Sequence, residues 1–437
     1  MVSWAQFITV PAVFSIGGAV VKMRRGGHGD AVFREVTAGF CTWAAAYNPP
    51  VFLFVMRCVM RPLWKSVDLA ALRHNVRVLA AQAGAAQVVA VVKADAYGHG
   101  AVRVAVAAIR AGVSYLAVAS IQEAVELREA GIVAPIISLS LPVLEEIPEL
   151  LKYDIEPLVI DEEFINDLNR FAKKLNKKAG VHLKIDTGMR RIGCSPMEAV
   201  KLAVQIDRAE NLELKGVCTH FAVSDSTDEK NIKFTKKQIS VFKDSIKEIK
   251  KAGINPGLIH AANSGAVLQY PEAQFDMVRP GILVYGYAPS PSLNNLIDLK
   301  PVMELVTQVV LIKKIEKDTS VSYDRCWTAE KETFVATLPI GYADGLMRSL
   351  SGLKVRIGKD FFPIIGRICM DQCMIDIGSS PWVQRWDEVC IFGPVSKEHP
   401  KNNTAQDLAK IAGTIPYELT CDINKRVPRI FIDETIQ

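Results

Sequence analysis

The residue in this sequence whose position most calls for a chemical explanation is a lysine at the end of an apolar run. Val88 to Val92 is short, uncharged and rich in β-branched residues, as a fully buried strand is. Lys93 follows it directly, ahead of the small-residue stretch Ala94-Asp95-Ala96-Tyr97-Gly98-His99-Gly100. An amine anchored there loses hydration, which depresses its pKa and frees the lone pair to form a Schiff base with a carbonyl. A strand-end lysine standing alone is more often a side chain reaching out to solvent. The chemical reading therefore depends on what else converges on the same place. His220 and the pair Asn263-Ser264 stand at the ends of two other short apolar runs, and Arg279 lies within a third. Ser264 precedes a helix-like segment, where a hydroxyl beside free backbone N–H groups suits a phosphate. One histidine at such a place is ordinary; His220 and His260 at two strand ends favour function over a satisfied core role.

The elements that would bring these groups together are legible from Asp68 onward. Val88–Val92, Tyr115–Ala119, Pro135–Leu139, Glu156–Ile160, Val181–Ile185, Leu214–Thr219, Leu258–Ala261 and Met277–Val284 read as eight strands. Amphipathic stretches such as Ile121–Ala130 and the lysine-rich Asn231–Ala252 separate them. Eight strand–helix units between residues 68 and 300 fit a TIM-like (β/α)8 barrel of the α/β class, in which working groups sit at the C-terminal strand ends. A doubly wound open sheet is the rival, disfavoured because no GxGxxG turn follows the first strand. After about residue 300 the texture changes to short β-branched runs punctuated by Gly and Pro: Val302–Lys313, Thr333–Leu338, Leu353–Ile357, Met374–Ile377 and Glu388–Phe392. Residues 301–437 thus read as a mostly β domain, with one helix over Thr404–Ala412 capped by Thr404 and Asp407.

Several stretches, taken in order, carry a resemblance. Val91-Val92-Lys93-Ala94-Asp95-Ala96-Tyr97-Gly98-His99-Gly100 is similar to the corresponding motif of alanine racemases, pyridoxal phosphate enzymes built from a TIM-like barrel and a β domain. Lys184-Ile185-Asp186-Thr187-Gly188-Met189-Arg190-Arg191-Ile192-Gly193 follows, with Arg190 standing where the family usually has glycine. Thr219-His220-Phe221-Ala222, His260-Ala261-Ala262-Asn263-Ser264, Arg279-Pro280-Gly281 and Tyr285-Gly286 come next. The β region adds Val321-Ser322-Tyr323-Asp324, Gly341-Tyr342-Ala343-Asp344-Gly345, Gly366-Arg367-Ile368-Cys369-Met370-Asp371-Gln372 and Ile415-Pro416-Tyr417-Glu418. After Tyr323, Asp324-Arg325-Cys326-Trp327 departs from the usual Gly-x-Thr-Tyr.

The resemblance implies a role for each matching position. Lys93 would bind pyridoxal 5'-phosphate and act as one acid–base group; Tyr323, from the other subunit of a homodimer, would act as the second. Tyr97, Asn263, Ser264, Gly281 and Tyr417 would hold the cofactor, with Arg279 facing its pyridine nitrogen. An arginine cannot accept a proton there, so the ring stays a weaker electron sink than in enzymes that place a carboxylate at that point. Arg191 would contact the phenolic oxygen and substrate, Lys184 is a candidate for carbamylation, and His220 would relay between Tyr323 and Arg279. Tyr342 and Met370 would line the substrate entrance of the partner. The implied reaction is interconversion of L- and D-alanine in the cytoplasm, for peptidoglycan supply or catabolism. A serine-preferring or broad racemase remains open because of Cys326-Trp327, and a non-catalytic pyridoxal phosphate-binding protein is the reading from another class. A basic amino acid decarboxylase of the same architecture is disfavoured by Arg279, since those enzymes carry an acidic residue there.

Composition bounds the rest. A net charge of +5 over 437 residues points to neither nucleic acid nor an anionic membrane as partner. Nine cysteines, odd in number and without a CxxC pair or metal-ligand spacing, suit free thiols in a reducing compartment; no metal site is expected. Residues 1–59 differ in texture. Their charges follow the first apolar stretch instead of preceding it, unlike a secretory signal, and Pro11, Gly17-Gly18 and Asn48-Pro49-Pro50 interrupt any membrane-spanning helix. The preferred expectation is that they lie outside the working fold, upstream of a natural start at Met60; a weak membrane anchor is the minority one. Residues 60–67 are expected to form a strand joining the C-terminal domain.

Overall fold

In the computed structural model, residues 61–379 and 381–433 are described, along with four short strands, Ser15–Ile16, Ala19–Val20, Met23–Arg25 and Ala31–Phe33. The expectations for residues 1–59 and for Met60 as the start otherwise lie outside the described residues. No helix among the described residues is long and apolar enough to cross a membrane.

Eight parallel strands close into a barrel: Gln87–Val91, Tyr115–Val118, Ile136–Ser138, Ile155–Val159, Ala179–Lys184, Leu212–Cys218, Leu258–His260 and Met277–Val278. Their apolar runs are buried on both faces, inward into the barrel and outward against helices. Each helix presents one stripe to them. Leu69–Ala83 buries Leu69, Leu72, Val76 and Leu79 at helical spacing and is capped by Asp68, whose carboxylate accepts from the N–H groups of Ala70 and Ala71. Glu229–Lys251 buries Ile239, Phe242, Ile246 and Ile249, leaving its lysines to solvent.

The eighth strand is shorter than the expected Met277–Val284. Pro280 has no N–H for the ladder, so pairing stops at Val278 and Ile282–Tyr285 becomes a single 3-10 turn. This break puts Gly281 at the barrel mouth.

Beyond the barrel lies a nine-stranded sheet. Its order is Leu311–Ile315, Thr333–Leu338, Cys373–Gly378, Asp360–Ile365, Lys354–Ile357, Glu388–Phe392, Met303–Gln308, Leu63–Asp68 and Arg429–Ile432. Leu63–Asp68 pairs in parallel with Arg429–Ile432, so this sheet takes in chain from both sides of the barrel. The expected single run Val302–Lys313 is two strands, because Val309 N–H bonds to Asp387 O while Val310 N–H turns to Thr337 O. Ala405–Ala412 is a helix with a complete capping box between Thr404 and Asp407. Elements that went unread in the sequence include the Pro363-containing strand Asp360–Ile365, the helix Pro416–Asp422, the strand Arg429–Ile432 and the short hairpin of Ser320–Val321 with Trp327–Thr328.

The connection after Lys93 does most to position the site. Ala94, Asp95, Ala96 and Tyr97 all have φ between 52° and 55°. The left-handed conformation costs an L-residue roughly 1–2 kcal/mol, so this turn stores about 4–8 kcal/mol. It is held from three sides. Glu123 accepts from Ala94 N–H at 2.7 Å, Asp95 accepts from Ala101 N–H at 2.8 Å, and Arg429 ion-pairs with Asp95 while donating to Gly98 O at 3.1 Å. Gly98 closes the turn at φ +81°, where an added Cβ would sit 2.2 Å from Thr420 O. Gly98→Ala should therefore lower unfolding free energy by about 2 kcal/mol or more, from left-handed strain plus overpacking. Denaturant unfolding measures this, and a neutral effect would contradict the packing described.

Candidate active site

The C-terminal strand ends open into one cavity of about 770 Å³. Lys93, Tyr97, Lys184, Arg191, His220, Asn263, Ser264, Arg279, Gly281 and Tyr417 all line it, so ten of the residues singled out in the sequence meet at one place. Lys93 projects from the first strand's end. Burial, then the Arg191 guanidinium, pull its amine below the ordinary lysine range, which raises the fraction present as free base.

One end of the cavity is a polar cradle. Gly281 N–H donates to Ser264 Oγ at 2.9 Å, and Ser264 is also hydrogen-bonded to the Tyr417 hydroxyl. A Cβ at Gly281 would come within 2.5 Å of Tyr97 Oη, so only glycine leaves this space open. Burial pushes the phenols of Tyr97 and Tyr417 up, keeping both protonated as donors. The hydroxyl and backbone donors of this cradle suit a phosphate, with the Asp225 carboxylate near Tyr417 at its edge. Asn263 has a different first task. Its side-chain oxygen caps Ser264–Gln269 through Ala266 N–H and accepts from Ser224 Oγ at 2.6 Å.

At the other end Arg279 is buried, and its ion pairing with a carboxylate is not seen among the described residues. Its guanidinium donates to Thr219 O at 2.7 Å, Ala261 O at 3.1 Å and His260 Nδ1 at 2.7 Å. A guanidinium only donates, which fixes the next links. His260 Nδ1 must accept, so its Nε2–H donates to His182 Nδ1 at 3.0 Å, and His182 Nε2–H donates to Glu156 Oε2 at 2.8 Å. Burial and then the Arg279 charge hold His260 well below the ordinary histidine range, consistent with this neutral tautomer. His182 and Glu156 were missed in the sequence because each, alone, is an ordinary strand residue.

The expected direct hydrogen bond between His220 and Arg279 is not formed; Arg279 Nη1 is taken by His260. His220 lines the cavity with its ring unbonded among the described residues, held neutral by burial and then by Arg279. Arg190 has φ +60°, so the backbone here takes a left-handed form that glycine adopts without cost, with Asp186 accepting from its N–H at 3.1 Å.

Lys184 is buried among cations. Burial first, with Arg279 and Arg191 adding to it, brings its amine down to about 8. The donor set fits pyridoxal phosphate: an amine for its carbonyl, a hydroxyl and N–H cradle for its phosphate, and a donor-only group for an unprotonated ring nitrogen.

Tyr323, Tyr342 and Met370 do not line this cavity. Tyr323 and Met370 line a separate open concavity of about 590 Å³ with Ser322, Cys369, Asp371 and Gln372. Tyr342 stands beside it through its N–H to Cys369 O, 3.0 Å. These three large side chains are 70%, 43% and 53% exposed for Tyr323, Tyr342 and Met370 respectively.

Comparison with known proteins agrees with this geometry. Residues 67–289 match the model of the alanine racemase N-terminal domain, and residues 302–431 that of the C-terminal domain. The chain is 99% identical over 346 residues to an alanine racemase of Treponema denticola, covering 79% of this chain and 91% of that protein. It is 48% identical over 373 residues to the alanine racemase of Treponema pallidum, covering 84% and 98%. Among solved structures, the alanine racemase of Clostridium difficile 630 superposes with a TM-score of 0.81 at 37% identity, covering 86% and 97%. Neither a serine-preferring racemase nor a non-catalytic binding protein gains support from these relatives. With both domains matched and the lysine, cradle and arginine in one cavity, the chain belongs to the alanine racemase family.

Proposed function

We propose that the chain interconverts L- and D-alanine as a cytoplasmic homodimer, with Lys93 and Tyr323 of a second copy acting on opposite faces of the substrate's α-carbon. The observation that carries this reading is the division of the chemistry within one chain. Lys93 and the cofactor-holding groups share a cavity, while the exposed Tyr323, Tyr342 and Met370 stand around a different concavity. A two-fold pair of chains can bring one surface onto the other's cavity and complete two equal sites.

Pyridoxal phosphate, when bound, supplies a conjugated electron sink that acidifies the α C–H of the amino acid. Ser264, Gly281, Tyr97 and Tyr417 would hold its phosphate, and Arg279 would offer its ring nitrogen a hydrogen bond without giving up a proton. The sink is thereby kept weak, which suits a reaction that removes and returns one proton. Lys93 exchanges that proton on the D-alanine side. Tyr323 serves the L-alanine side. A phenol that gives and takes a proton needs a hydrogen-bond partner to orient it. His220, neutral and facing the cavity, is the group this chain offers it. Arg191 stands at the cavity wall near Lys93, where it meets the substrate carboxylate.

Tyr323→Phe tests the division of labour. In D2O the variant should still exchange the α-hydrogen of D-alanine but lose exchange at L-alanine by about 10²–10⁴-fold, the usual worth of a positioned acid–base group. Equal loss on both sides would contradict the assignment.

Lys184 is proposed to carry a carbamate. Its amine would add to carbon dioxide and release one proton, replacing a third positive charge beside Arg191 and Arg279 with a negative one. The unprotonated amine needed for this becomes more abundant as pH rises through about 8, so the modification should grow with pH there and reverse on acidification. With 13C-bicarbonate, the protein should show a carbamate resonance that Lys184→Arg lacks; the same resonance in both would remove the assignment.

A further inference from the structure

The turn that presents Tyr323 is strained on both sides of the tyrosine. Ser322, Asp324 and Arg325 have φ of +72°, +59° and +50°, a conformation L-residues avoid unless their surroundings hold them in it. The turn sits on a two-stranded hairpin, in which Ser320 and Val321 pair with Thr328 and Trp327. Such a short hairpin is marginal by itself. Within the turn, Arg325 Nε donates to Ser320 Oγ at 2.8 Å and Arg325 N–H to Ser322 O at 3.3 Å; from outside it, Ser322 Oγ meets Cys369 Sγ at 3.8 Å, and one neighbouring residue, Arg367, holds both flanks of the tyrosine. Ser322 Oγ donates to Arg367 O at 2.9 Å and accepts from Arg367 N–H at 3.0 Å, just before Tyr323. Just after it, the Asp324 carboxylate accepts from Arg367 Nε at 3.3 Å. Gly366, at φ +67°, lets the two segments close, since a Cβ there would meet Ser322 Cβ at 2.5 Å.

Arg367 therefore grips the chain on either side of Tyr323. Its backbone holds Ser322, and its side chain holds Asp324. A glycine at 324 would take the same φ without strain but would have nothing to offer the guanidinium. We propose that Asp324 is a positioning residue for Tyr323, fixing the tyrosine's presentation to the second copy's cavity through its ion pair with Arg367. This rests on the reading of Tyr323 as the L-alanine-side acid–base group.

The test measures early-time wash-in of solvent deuterium at the α-carbon of L- and D-alanine by the holoenzyme, with Tyr323→Phe run alongside. Asp324→Ala keeps the strained backbone and removes the ion pair. It should slow exchange at L-alanine about tenfold, within the range up to ~10²-fold that a misplacement of about 1 Å costs, and leave exchange at D-alanine within about twofold. Asp324→Asn, which tolerates the left-handed form and keeps an oxygen for Arg367, should recover most of the L-alanine rate. Asp324→Gly, which relieves the strain, should still be slow at L-alanine. If Tyr323→Phe separates the two sides while Asp324→Ala slows both equally or neither, the positioning role is overturned and the base assignment stands. If Tyr323→Phe fails to separate them, both fall together.

Discussion

The polar interior of this barrel is set by one donor-only cation. Arg279 is buried, can give hydrogen bonds but take none, and meets two carbonyls and one imidazole nitrogen in place of a carboxylate. Everything bonded to it must accept. That requirement turns His260 and His182 into neutral relays with a defined tautomer and ends the chain on the carboxylate of Glu156. Burial first, and then the same charge, hold His220 neutral and lower the amine of Lys184. A ring nitrogen offered to this guanidinium would have to be the acceptor, which would tie the electronics of the cofactor to a side chain that follows the eighth strand, the direct neighbour of the strand ending at Lys93 in the closed barrel.

Much of this was visible in the sequence because barrel strands are short apolar runs and reactive side chains at their ends stand out. Lys93, His220, Asn263, Ser264 and Arg279 were placed this way, and they do share a cavity. What the sequence hid has physical causes. His182 and His260 are 78 residues apart and touch only because the barrel sets their strands either side of the one that carries Gly216. Ala94-Asp95-Ala96-Tyr97 reads as part of a small-residue turn, but none of the four is a glycine that would advertise its left-handed form; contacts from Glu123 and Arg429 help hold it. The last strand looked longer than it is because Pro280-Gly281 interrupts an otherwise continuous apolar run.

Two departures from family glycines have a common structure. Arg190 and Asp324 both keep φ near +60° in places where glycine is usual. In each case a carboxylate answers for the strain, Asp186 accepting from the N–H of Arg190 and Asp324 itself pairing with Arg367. The backbone path is preserved, and the change is confined to what the side chain adds. At Arg190 that addition points to solvent; at Asp324 it adjoins the residue with most to gain from being held still.

The central claim is that each site is assembled from two copies, with Lys93 from one and Tyr323 from the other. Lys93→Ala and Tyr323→Phe, each purified, should be nearly inactive as racemases. Mixed one to one, unfolded and refolded together, they should recover roughly a quarter of the wild-type activity, since half of the dimers are mixed and each mixed dimer has one intact site of two. No recovery, with mixed dimers shown to form, would place both groups in the same chain's site and contradict the account.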